Sequence, residues 1–77
     1  MNREAPPLTP SQARAAYEFM MVAGWRGHAA DEWRHTARLL ADAALAPNVS
    51  AGVGRSLLDR AAECLAAAWV ASGRRAA

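Results

Sequence analysis

Three stretches of the chain place apolar side chains at helical spacing, and none alternates with the period of two that marks a strand. In the first, Ala13, Ala16, Tyr17, Met20 and Ala23 recur every three to four residues, and Phe19, Met21 and Val22 widen the stripe almost round the whole helix. Thr9-Pro10-Ser11-Gln12 supplies its start. Thr9 suits the N-cap, Pro10 loses nothing at the first helical position, and Gln12 can reach back to complete a capping box. The spacing predicts a helix over 9–23, ended by Gly24.

A second helix is expected over 28–46. Trp33, Ala37, Leu40, Ala41 and Ala44 form its inner face, and Asp31, Glu32, Arg34, His35, Arg38 and Asp42 its outer face. On that outer face Asp31 faces His35 and Arg38 faces Asp42, each pair four residues apart. Pro47 ends the helix. Asn48-Val49-Ser50 forms the turn, with Asn48 and Ser50 both suited to an N-cap. A third helix follows over 51–72, stopped by Gly73, with Arg74 and Arg75 near the negative end of its dipole. It carries two adjacent stripes. Leu57, Ala61, Cys64, Leu65 and Ala68 form one, and Leu58, Ala62, Leu65 and Trp69 the other.

Short connections force neighbouring helices to be antiparallel, so the expected fold is an all-α, three-helix, up-down-up bundle. Residues 1–8 read as a flexible tail, 9–73 as the domain and 74–77 as a frayed end. Seventy-seven residues are too few for a second domain.

Composition changes this picture in one respect. The chain is 53% hydrophobic, but 21 of those residues are Ala, leaving twenty larger apolar side chains for three helices. The first and third helices nevertheless carry more apolar circumference than a monomer of this size can cover. A companion is therefore expected, as a second copy or a larger protein on which this chain docks as a subunit, adaptor or inhibitor. Phe19, Met20, Met21, Trp25, Leu58, Trp69 and Val70 are the expected contacts, because large apolar and aromatic side chains anchor interfaces.

A net charge of +2 is too small to imply nucleic acid or membrane binding by itself. A nucleic-acid binder remains the alternative, with Arg26, Arg34, Arg38, Arg55 and Arg60 meeting phosphates. Residues 39–58 admit a helix-turn-helix reading, but Pro47 and Gly54 fall where that motif wants apolar side chains. Gly24-Trp25-Arg26-Gly27 has the spacing of the loop in KH nucleic-acid domains, which also need strands that this chain does not predict. The longest apolar run, Cys64 to Ala71, is far short of the ~20 residues of a membrane span. No signal peptide is read at the N-terminus, and one cysteine excludes an internal disulfide, so a cytoplasmic location is expected.

Few residues offer chemistry. His28, Glu32 and His35, at i, i+4 and i+7, share a helical face, and two imidazoles with a carboxylate are a zinc-binding set. The span between the two His is about 10 Å along the axis, which sets one metal at a disadvantage. Cys64 lies on an apolar stripe away from either imidazole, so it reads as a core thiol. No cofactor and no catalysis are expected.

Overall fold

The computed structural model describes residues 8–24 and 27–73. They form three helices and no strand: α1 (Pro10–Ala23), α2 (Ala30–Ala44) and α3 (Ala51–Ala71). The order and number are those the periodicity predicts. Residues 1–7, Trp25, Arg26 and 74–77 lie outside the described residues, and with them the frayed end, Arg74 and Arg75, and the Trp25-Arg26 turn; of the expected tail 1–8, Leu8 is described and is half-buried against the core.

The α1 start forms as the local chemistry requires. The Thr9 hydroxyl accepts from the Gln12 N–H at 3.2 Å, and the Gln12 side chain accepts from the Thr9 N–H at 3.0 Å. Gly24 closes the helix at φ +84°, where its N–H donates to the carbonyls of Met20 and Met21. The positive φ is open to glycine at little cost.

α2 is shorter than expected at both ends. It begins at Ala30 rather than His28, because Glu32 caps it by accepting from the Ala29 N–H at 2.9 Å. Asp31 and Glu32 then occupy the first turn, where carboxylates suit the positive end of the helix dipole. It ends at Ala44; the Leu45 N–H still donates to the Ala41 carbonyl as in the helix, and a turn-type bond from Ala46 to the Ala43 carbonyl follows. Pro47 has no N–H to continue the ladder and disfavours helical backbone before it. Asn48 then takes φ +68°, which reverses the chain, and Ser50 caps α3 by accepting from Val53 N–H at 3.2 Å.

Contacts between named residues fix the directions. Gly54 of α3 sits against Ala44 of α2. Pro10 and Arg14 of α1 border Val53, Ser56 and Leu57, and Tyr17 reaches Arg60 and Glu63. So α1 and α3 run the same way, with α2 antiparallel to both, which is the expected up-down-up order.

The core is centred on Trp33, Leu40 and Cys64, all fully buried, with Leu57 beside them. Ala37, Ala43, Ala61, Ala67 and Ala68 are also buried. Such small side chains let helix backbones approach closely, and α2 and α3 form the main packing pair. Thr36 and Ala43 belong to the buried face of α2 although the stripe of apolar residues did not mark them. The Thr36 hydroxyl is satisfied by donating to the Glu32 carbonyl at 3.1 Å. α1 contributes less than its apolar perimeter suggests: Ala13 and Met20 are its buried residues. Phe19 is 71% exposed and Val22 more so.

Candidate interaction surface

The two adjacent stripes of α3 separate cleanly in space. One is core. The other faces solvent: Leu58 and Leu65 are 43% and 54% exposed, Trp69 is 66% exposed, and Ala62 lies between them. At 58, 62, 65 and 69 these residues follow i, i+4, i+7 and i+11, a single helix face. Leu65 was shared by both stripes in sequence and falls on the exposed one.

Beside this row, α2 and α3 enclose an open groove of about 380 Å³. Its floor is Ala37, Ala41, Ala61 and Ala62, with Leu58 and Leu65 on the α3 side. Arg34 and Arg38 line the α2 side, and no carboxylate is among the lining residues. Four alanines make it a groove: where larger side chains would fill the seam between the helices, β-carbons leave room. Leu58 also borders a second hollow of about 450 Å³ at the α2–α3 turn, where Arg55 and Asp59 stand.

The charges on the outer face of α2 pair differently from expectation. Arg34 bonds Asp31 at 2.8 Å, and the His28 Nδ1 lies 3.3 Å from a Glu32 carboxylate oxygen. Among the described residues, Asp31 does not pair with His35, nor Arg38 with Asp42. The helix ladder allows several partners at i+3 and i+4, and Asp31 takes the guanidinium one turn away.

The expected contact residues divide. Phe19, Leu58, Trp69 and Val70 are exposed. Met20, 6% exposed, is a core residue and is withdrawn from the contact set; Met21 is half-buried against the core. Trp25 lies outside the described residues. Sequence reasoning missed the α2 side of the groove. Ala37 is buried as its inner-face assignment expected, and with half-buried Ala41 it also forms the groove floor, which the spacing of α2 by itself does not show.

The zinc-binding set is not assembled. Among the described residues, no group of three or more His, Cys, Asp or Glu side chains comes close enough to hold a metal ion. His28, Glu32 and His35 do border one hollow of about 370 Å³, but the His28 ring is occupied otherwise. It meets the edge of Trp33 with ring centroids 5.6 Å apart and tilts toward Phe19 at 6.4 Å, while His35 is exposed.

Nor do the arginines form one face. Arg34, Arg38 and Arg55 border the groove and its adjoining hollow. Arg60 lies against α1 instead, its guanidinium 5.4 Å from the Tyr17 ring centroid and donating to the Ser56 carbonyl at 3.2 Å. Arg26 lies outside the described residues. On that same side the Tyr17 hydroxyl donates to Glu63. This bond, helped by burial and the Glu63 charge and opposed by Arg60, pushes the phenol up to about 12. The Cys64 thiol is pushed up to about 11 by burial and, secondarily, by Glu63. It is therefore held in the unreactive thiol form, the opposite of what a nucleophile needs.

No helix among the described residues is long and apolar enough to cross a membrane. Comparisons with protein-family models, curated proteins and solved structures yield no match.

Proposed function

We propose that this chain is a small helical protein–protein interaction module, acting through its surface rather than through catalysis. One observation carries the reading: Leu58, Leu65 and Trp69 stand exposed in one row on α3, and Leu58 and Leu65 edge a groove with an alanine floor. Contiguous apolar surface of this kind, edged by charge, marks sites where another macromolecule seats. Phe19 and Val22 on α1 add a second exposed apolar pair. The occupant is either a second copy or a larger protein. The cytoplasm is the compartment we propose, since the lone cysteine suits a reducing environment.

The test is physical. Sedimentation of the chain at micromolar concentration, together with binding of a hydrophobic dye, is expected to show self-association or accessible apolar surface. A sharp monomer with a cooperative melt and no dye binding overturns the proposal.

A further inference from the structure

The charge around the α2–α3 groove points to its occupant: the geometry points to an amphipathic helix of another protein, whose apolar row is flanked by carboxylates. This rests on the interaction-module reading and narrows it.

The first part of the argument is shape. Leu58 and Leu65, which edge the groove on α3, are seven residues apart on one helix face, about 10 Å along its axis or two helical turns, and exposed Trp69 continues the row one turn beyond it. A helix laid in such a groove presents anchors at i, i+3, i+4 and i+7, and the alanine floor between Leu58 and Leu65 has room for them.

The second part is charge. Both ionised groups lining the groove are cations, Arg34 and Arg38. Arg34 already shares Asp31. Arg38 forms no ion pair among the described residues and stands exposed one turn further along. This arrangement disfavours a second copy seated on the same groove. A two-fold interface sets one patch against its own copy, so two linings whose ionised groups are all cations would face each other, with no carboxylate from either. A helix from another protein, carrying Glu or Asp beside its apolar anchors, meets Arg38 with the opposite sign.

The experiment uses the full chain and two labelled peptides of about 18 residues, long enough to be helical. Both carry Leu at i, i+4 and i+7. One has Glu at the flanking positions and the other Lys. Fluorescence anisotropy at low ionic strength is expected to show the Glu peptide binding about tenfold tighter, the sum of small exposed charge terms of opposite sign. The gap should narrow with added salt. Arg38→Glu should reverse the preference. Leu65→Glu should abolish binding of both peptides, and since both side chains are exposed, circular dichroism should show native helix in each variant. Equal binding of the two peptides, preference for Lys, or no binding of either overturns the proposal. So does sedimentation showing a dimer that Leu65→Glu converts to monomer, because a second copy then fills the groove; that result leaves the interaction-module reading standing.

Discussion

Two glycines near the start of α3 give a paired test of how this helix meets α2. Both Gly52 and Gly54 are helical, and replacing glycine by alanine in a helix removes backbone entropy from the unfolded chain, worth about 0.5–1 kcal/mol. At Gly52 an added Cβ meets nothing within 4 Å. Gly52→Ala should therefore gain most of that amount, which for a domain of this size raises Tm by about 2–8 °C. At Gly54 the same Cβ lies 3.2 Å from the Ala44 carbonyl oxygen and 4.0 Å from Val49 Cγ1. The first contact is tight and its partner is backbone at the end of a helix, which cannot rotate away as a side chain would. Overpacking of this kind costs about 1–3 kcal/mol, more than the propensity gain. Gly54→Ala should be neutral to destabilising by about 2 kcal/mol, and Gly54→Val, with two further methyl groups, worse. Urea unfolding with thermal melts reads both effects, provided the m-values of the variants agree. If Gly54→Ala stabilises as much as Gly52→Ala, then α3 does not press on the end of α2, and the close approach of Gly54 to the Ala44 carbonyl is wrong.

Other consequences are open to direct measurement. Trp33→Ala empties the largest fully buried site and should cost about 3–5 kcal/mol, a large part of the total stability of so small a domain, whereas Phe19→Ser should stay within about 0.5 kcal/mol. Tyr17 is the sole tyrosine, so absorbance near 295 nm follows it alone; its ionisation should centre near pH 12 and move down toward the ordinary value in Glu63→Gln. Because the folded phenol titrates above the unfolded value of about 10, its stabilising contribution is complete below pH 10 and is lost as pH rises through 12. An unshifted titration in the folded protein would remove the Tyr17–Glu63 bond. Cys64→Ser places a hydroxyl in an apolar core and should cost about 1–3 kcal/mol, and the native thiol should react with Ellman's reagent only as the chain unfolds in urea.

What the sequence revealed was local. The Thr9–Gln12 capping box, the Ser50 cap, the stops at Gly24 and Gly73 and the break at Pro47 each depend on residues within one turn, and each forms. Boundaries failed where the decisive group was a side chain reaching backward: Glu32 caps α2 at Ala29, so His28 falls outside the helix. Burial was legible only in part, because two neighbouring stripes on α3 are equally apolar and periodicity cannot say which one meets α2. Met20 and Phe19 show the same limit on α1: adjacent and both apolar, one is core and the other is exposed. The groove was least visible of all. It is made by the alanines of two helices brought together, and an alanine in sequence looks the same whether it lines a seam or fills one.

The uneven sharing of the core among the helices bears on how the molecule assembles. Trp33, Leu40, Leu57 and Cys64 all belong to α2 and α3, which are joined by a short turn reversed at Asn48. Closing so small a loop loses little chain entropy, so this hairpin can gather its interior early and quickly. α1 buries Ala13 and Met20 and is tied to α3 through Tyr17, and with so small a share of the core it should dock afterwards and release first. In hydrogen exchange its amides should be the earliest to open, with the hairpin persisting as the slow-exchanging unit.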